Sequence, residues 1–345
     1  VNTAAHPAAP AAPPDRDAFL KEAVRFRQEL LAHCYRMLGS VQDAEDLVQE
    51  TYLRAWRGYG GFEGRSSLRF WLYRIATSAC LTALGHRSRR VVPAGLGAPS
   101  DDPQAPLGRA VPGTEWVQPL ADAAPSDPAA VVAERGSVRL ALIVALQYLP
   151  PRQRAVLILR DVLSWRAAEV AALLGTSTTA VNSALRRARE RLEQLGVDED
   201  AAGAAEDALD ARGRALVDSF ALAFQHADMA ALAALLSEDV TLEMPPEPQW
   251  FAGRDVTVRF FTARVLPAAG EQRAVGLTVN GGQPALALYW RHGAGAFLPH
   301  ALQVLTLRQE AVAGILVFRD PALFPLSGLP EDLPADTPPG VSWSN

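Results

Sequence analysis

Cysteine is almost missing from this 345-residue chain: there are two, Cys34 and Cys80. They have no metal-ligand spacing, and both fall inside helical patterns. They read as core thiols suited to a reducing compartment, the cytoplasm, and not as a disulfide framework. Lysine is rarer still. Lys21 is the single one, so arginine carries nearly all of the positive charge. No apolar run approaches the ~18 residues of a membrane span. The opening VNTAAHPAAPAAPPDRD has no basic start and no leucine-rich core, which argues against a secretory signal there and leaves an Ala/Pro tail over 1–18. No cofactor or metal motif is found, and none is expected. What is present, 49% hydrophobic and 21% charged residues with a net charge of -5, describes globular material with room for two or three domains.

The most informative stretch is LALIVALQYLPPRQRAVLILRDVLSWRAAEVAALLGTSTTAVNSALRRARERL, from Leu140. Ser164 is placed to cap a helix over Arg166–Leu174, and Gly175 stands where that helix should stop, since a left-handed residue there needs no Cβ. Ser177 is placed to cap the next helix. There Val181, Leu185, Ala188 and Leu192 recur at spacings of three and four and mark a buried face. The other faces carry Thr178, Thr179, Asn182, Ser183, Arg186, Arg187, Arg189 and Arg191. Two short helices, a Gly turn and a basic second helix make a helix-turn-helix, whose second helix would lie in the DNA major groove. The plainer alternative is an amphipathic pair with a solvated basic face. Charge favours the first: nine arginines against four acids from Ser137 to Leu195 give a local +5 on an acidic chain.

These residues resemble region 4 of bacterial sigma factors of the extracytoplasmic-function type, without a gap. Upstream, Phe19–Leu38 is apolar-periodic. Ser40 caps a second helix, with Asp43 three residues on as a capping-box acid. In DAEDLVQETYLRAWR one face is Ala44, Leu47, Val48, Thr51 and Ala55, and the other is an acidic ridge of Asp43, Glu45, Asp46, Gln49 and Glu50. Acids at a helix start suit its dipole, and they also make a docking surface. A Gly-rich loop, 58–64, precedes a helix capped by Ser66 or Ser67, in which Trp71, Leu72 and Ile75 pack inward. Arginines interleaved with aromatics suit single-stranded nucleic acid, although a core helix with a charged rim reads the same way.

This block is similar to sigma region 2, and it precedes region 4 at the family's usual distance. The resemblance implies that Asp46, Gln49, Glu50 and Leu53 bind the β′ clamp helices of core RNA polymerase. It implies that Arg65, Arg69, Trp71, Arg74 and Ser78 serve the −10 element, and that Thr178, Thr179, Asn182, Ser183, Arg186 and Arg187 read the −35 element, with the β flap as a further partner. Ser78 and Thr82 stand where members often carry Asn and Asp, a departure that bears on the −10 sequence read and not on the role. Extruding a base costs a few kcal/mol, so a small helical module could not melt promoter DNA alone. A good base contact is worth roughly 1–3 kcal/mol, so two modules must act together on the polymerase.

The linker, 91–134, is rich in Pro, Gly and Ala and acidic, with Trp116 and Val117 as one anchoring point. It is either a plain tether or, as the resemblance implies, a connector threading the polymerase. Typical short members stop near Leu195, whereas here helical patterns and then four alternating strand runs follow between Asp207 and Leu326. Helices followed by strands imply α+β. This part resembles the cone-shaped SnoaL-like fold of ketosteroid isomerases and polyketide cyclases, with Glu243, Trp250, Trp290 and His300 as pocket candidates for a small-molecule ligand. A carboxylate in an apolar pocket does proton chemistry in such folds, but a fold does not carry its activity with it. Regulation, simple packing and catalysis stay open, the expectation being no enzyme.

The expected architecture is thus multi-domain. Two all-α modules, region 2 over 19–90 and region 4 over 135–196, are followed by an α+β SnoaL-like cone over 205–326 and a loose arm over 327–345. The expected function is a sigma factor that directs polymerase to promoters and carries its own regulatory domain. Two rivals are a one-component helix-turn-helix regulator with a ligand domain and an isomerase with attached DNA-binding helices.

Overall fold

The computed structural model describes residues 16–62, 64, 66–85, 88–108, 111–122, 139–195, 209–265, 270–293 and 295–343. Most of the expected N-terminal tail, Arg65 and, of the linker, residues 109–110 and 123–134 lie outside them. The first module is four helices: α1 (Arg16–Ala23), α2 (Arg27–Leu38) after a 3-10 turn, α3 (Val41–Gly58) and α4 (Leu68–Leu84). Ser40 and Ser67 cap α3 and α4 by accepting the N–H of Asp43 and Phe70. Asp43 does not complete a capping box as expected. Its carboxylate is taken by Arg90, which reaches back to it from beyond α4.

The second module contains α5 (Leu140–Leu146), α6 (Pro151–Leu157) running into a π turn at Ile158–Val162, α7 (Ala167–Leu174) and α8 (Thr178–Gln194). Gly175 ends α7 at φ 62°, in the left-handed conformation the sequence called for. Ser164 is not the cap of α7. It sits at φ 55°, two residues outside, and the helix starts instead on Arg166, whose N–H donates to the Glu169 carboxylate at 2.8 Å.

The C-terminal part is α+β. Helices α9 (Ala211–Gln225), α10 (Met229–Leu235) and α11 (Arg254–Phe260) are combined with strands β1 (Leu236–Glu243), β2 (Trp250–Ala252), β3 (Gln272–Val279), β4 (Gln283–Arg291), β5 (Phe297–Arg308) and β6 (Ala311–Phe318). A short helix, α12 (Leu323–Leu326), and β7 (Val341–Trp343) close the chain. The seven strands form one sheet in the order β2-β1-β6-β5-β4-β3-β7, parallel only at β1·β6 and β3·β7. One face meets the helices: Leu242, Leu286, Leu288 and Ile315 share a core with Phe220, Phe224, Phe260 and Phe261. The expected loose arm is not loose over its described part. β7 adds to the sheet edge, and Trp343 Nε1 donates to Asp218 at 3.0 Å. Gly276 makes this possible, because a Cβ there would lie 2.7 Å from the Trp343 ring.

The other face of the sheet is largely covered by the rest of the chain. Val275, Leu277, Tyr289, Val304 and Phe318 belong to the same buried cluster as the first module (Leu30, Tyr35, Trp71), the linker (Val92, Val117) and the second module (Ile143, Leu157, Val181). No described helix is long and apolar enough to cross a membrane.

Two buried polar groups tie helices together, Arg154 between the two helical modules and His33 within the first. Arg154 of α6 is 3% exposed, and its guanidinium donates to Met37 O at the end of α2, to Gln147 Oε1 (2.7 Å), and to the carbonyls of Gln147 (3.1 Å) and Leu149 (3.2 Å). Burial without a carboxylate lowers its pKa to about 10. Substituting Arg154→Met is expected to destabilise the chain by roughly 3 kcal/mol, since several buried carbonyls lose their donor together. Urea unfolding measures this. His33 is fully buried, and its Nε2–H donates to Thr77 Oγ1 at 2.9 Å. Burial, and then Arg36, push its pKa from 6.5 down to about 3. In that window the unfolded chain takes up a proton that the folded chain refuses, so stability falls as pH drops from 6.5 towards 3. The unfolding midpoint followed over that range should show this slope, and His33→Gln should flatten part of it.

Candidate nucleic-acid interface

The helix-turn-helix is built as its sequence pattern requires. Val181, Leu185 and Ala188 are buried, and Ser177 caps α8 by accepting from Ala180 N–H at 3.1 Å. Thr178, Thr179, Asn182, Arg186 and Arg187 are exposed along one side of the helix, with Ser183 half-buried beside them. The first turn carries no acid, so its free N–H groups and the positive end of the dipole face outwards, as phosphate binding needs. The arginines are not equivalent. Arg189 forms a two-pronged pair with Asp161 (2.9 and 2.8 Å), tying α8 to the π turn, and Arg186 lies 3.6 Å from Glu190.

On α3 the acidic ridge divides. Asp43 pairs with Arg90 and Glu45 with Arg27, so both are used within the module. Asp46, Gln49 and Leu53 face solvent, and Glu50 is half-buried and paired with Arg54 at 2.7 Å. The sequence reading missed Trp56, 39% exposed one turn beyond Leu53, at 50%. Its signal was available, since it lies off the buried stripe of Ala44, Val48, Thr51 and Ala55.

The α4 group is not brought together as expected. Arg74 and Ser78 are exposed. Trp71 is 9% exposed, and its ring lies against Phe62 (4.8 Å), Phe19 (6.3 Å) and Tyr59 (6.5 Å). It is a core side chain that sets the angle of the loop, because a ring this large gains more from an aromatic nest than from water. Arg69 donates to Glu29 at 2.6 Å and lies over the rings of Tyr73 (5.0 Å) and Trp165 (5.8 Å). Phe70 stacks on the same Trp165 at 5.5 Å. Trp165 belongs to the second module, just before α7, so α4 is partly covered by the helix-turn-helix unit.

The linker is equally engaged. Gln118 accepts from Ser40 Oγ (2.9 Å) and Val41 N–H (3.1 Å) through its side chain, and its carbonyl accepts from Tyr35 OH (2.7 Å). Asn280, in the β3–β4 turn, donates to that same Tyr35 hydroxyl (2.8 Å), and its side-chain oxygen accepts Leu120 N–H (3.2 Å). The next two peptide N–H groups, of Gly281 and Gly282, both point at the Asp122 carboxylate, at 2.7 and 2.8 Å. Successive amides around one carboxylate form an anion nest. An NGG turn, a linker acid and a tyrosine of α2 thus meet at one point, which no local pattern announced.

The four pocket candidates of the cone are not gathered into one site. Glu243 is on the outer face of the sheet, where its carboxylate accepts Ala94 N–H at 2.8 Å. Burial raises its pKa against the pull of that bond. Trp250 Nε1 donates to Gly97 O of the linker at 2.8 Å. Trp290 and His300 stack on each other at 3.9 Å, and burial and then Arg319 push His300 down to about 4. Strand alternation is the reason: Leu242 and Phe251 take the helix-facing side, which turns Glu243 and Trp250 outwards.

Comparison with known proteins agrees with this layout. The family model for Sigma-70 region 2 matches residues 23–90, and that for Sigma-70, region 4 matches residues 139–192. The ECF RNA polymerase sigma factor SigG of Mycobacterium tuberculosis is 47% identical over 324 residues, covering 92% of this chain and 85% of that protein. SigJ of the same organism is 30% identical over 257 residues, covering 71% of this chain and 73% of its own length. The crystal structure of the extracytoplasmic function sigma factor SigJ matches with a TM-score of 0.58 at 24% identity, covering 90% of this chain and 100% of that one, a likeness of fold that includes the sheet domain. The one-component regulator is therefore not favoured, and the chain belongs to the ECF RNA polymerase sigma factors.

Proposed function

We propose that the free chain is the closed form of a promoter-directing subunit, held shut by its C-terminal domain until core RNA polymerase draws the two helical modules apart. The family's activity is promoter-specific initiation of transcription with RNA polymerase. Within it we assign −35 reading to Thr178, Thr179, Asn182, Ser183, Arg186 and Arg187. Arg69, Arg74 and Ser78 serve the −10 element, with Trp71 positioning them. Asp46, Gln49, Glu50 and Leu53, extended by Trp56, face the polymerase clamp. The domain bounds are taken as first read, except that the linker and the arm after 327 act as packed parts of the closed form. No catalytic step is assigned to the cone.

The observation that carries this reading is Trp165 against Phe70 and Arg69. The two promoter elements are named for positions about 25 base pairs apart, roughly 85 Å of duplex at about 3.4 Å per step. Modules of this size have radii of gyration of about 10–11 Å. Two such modules in contact cannot reach both elements, so promoter binding requires the Trp165 contact to break. The linker ladder and the 280–282 turn are what the cone contributes to keeping it made.

In reconstituted transcription with core polymerase, Asp122→Asn should raise output at limiting protein by about 5–30-fold. The amide loses the charge-assisted part of both bonds, worth about 1–2 kcal/mol; unchanged or lower output would count against the closed form. Arg186→Ala and Arg187→Ala should each weaken binding to promoters with a −35 element by roughly 1–3 kcal/mol where the contact is to a base. Where it is to a phosphate, each should lower the salt dependence by about one ion. Full binding by the double variant would remove the −35 assignment.

A further inference from the structure

Between the outer face of the sheet, the linker turn at Pro93–Gly95 and α5 lies a cavity of about 370 Å³. Its walls are largely aliphatic, from Val92 of the linker, Leu140 and Val144 of α5, and Val304 and Leu316 of the sheet. Glu243 is the single charged side chain among the described lining residues. This is the size and character of a small-molecule site, an apolar cleft with a few fixed polar groups.

We propose that this cavity binds a small amphipathic organic cation, an apolar body bearing an ammonium or amidinium group, and that the bound cation holds the chain closed. The chemistry is set by Glu243. An ionised carboxylate offers about four acceptor positions, and here one oxygen takes a single N–H, from Ala94. Burial has already made the charged form costly, as the raised pKa records. A cation with an apolar body supplies the missing partner and covers the aliphatic walls at once. A carboxylate or phosphate ligand would meet repulsion, and a neutral one would leave the acid unpaired.

The position of the cavity determines what binding does. Its walls come from the linker, the second module and the sheet, so separating the second module from the sheet takes the site apart. A ligand bound only by the closed chain stabilises it by RT ln(1 + [L]/Kd) and depletes the open population. This consequence rests on the closed-form reading above, whereas binding itself does not.

The test uses the full chain and four probes: phenethylamine, benzamidine, 2-phenylethanol and 3-phenylpropionate, followed by ligand-observed NMR and calorimetry. Both cations are expected to bind at least tenfold more tightly than the alcohol, with the acid weakest. Glu243→Gln should abolish the preference for cations. Ala141→Trp, at an exposed position on the cavity wall, should block every probe while leaving the fold intact by circular dichroism. Failure of both cations to bind, equal binding of cation and alcohol, or a cation preference surviving in Glu243→Gln would overturn the site. Adding phenethylamine to the transcription assay separates the two ideas. Tight, Glu243-dependent binding with undiminished output overturns the closed-form reading and not the site. Increased output from Asp122→Asn with no cation bound overturns the site and not that reading.

Discussion

Arg154 brings a positive charge into the junction of the two helical modules, and no described carboxylate pairs with it. Its charge is spread instead over the carbonyls at the end of α2 and around the α5–α6 corner. Those carbonyls are the negative end of a helix and of a turn, and they need donors as much as the guanidinium needs acceptors. Four bonds from its two terminal nitrogens to carbonyl oxygens offset the cost of burying this cation, although Nε is left without a partner, and those bonds set the geometry of the corner. The other inter-module contacts depend on that. Trp165 reaches Phe70 and Arg69 because α6 and its π turn are pinned on α2, and the linker passes beside them with Gln118 bonded to the start of α3.

The closed arrangement buries apolar surface of three parts in one cluster. At about 25 cal/mol for each Å² of apolar surface, such a core favours the closed state. It can be opened by a partner that covers the same faces. The exposed Leu53 and Trp56 and the charges of α3 are accessible in the closed chain, so a first contact there needs no prior opening. The polar ladder at Tyr35, Gln118, Leu120, Asp122 and Asn280 differs from the apolar core in that water can replace its bonds one at a time. It is therefore the part of the closure best suited to adjustment.

Much of the local structure was legible from residue order. The stripes on α3 and α8, the caps at Ser40, Ser67 and Ser177, the left-handed Gly175 and the four long strands all follow from short-range periodicity and turn chemistry. The errors share a cause. Ser164 had the right chemistry for a cap, but the π turn consumed an extra residue, and Arg166 with Glu169 took the position. Asp43 had the right spacing for a capping box, but Arg90 lay nearer in space. Glu243, Trp250, Trp290 and His300 share residue types suited to a pocket, yet strand alternation and a bulge near Tyr289 send them to different surfaces.

The chain by itself determined its modules: two helical units with a basic recognition helix, and an α+β unit after them, because helix and strand periods and capping act over a few residues. Only the tertiary structure decided that the outer face of the sheet is a wall for the other modules. It alone decided that the linker is a ladder and that Glu243 looks into a cavity between domains. Those outcomes rest on contacts between residues more than a hundred positions apart, such as Tyr35 with Asn280 and Ala94 with Glu243. Such contacts leave no periodic trace, since each partner alone satisfies its local pattern equally well in water.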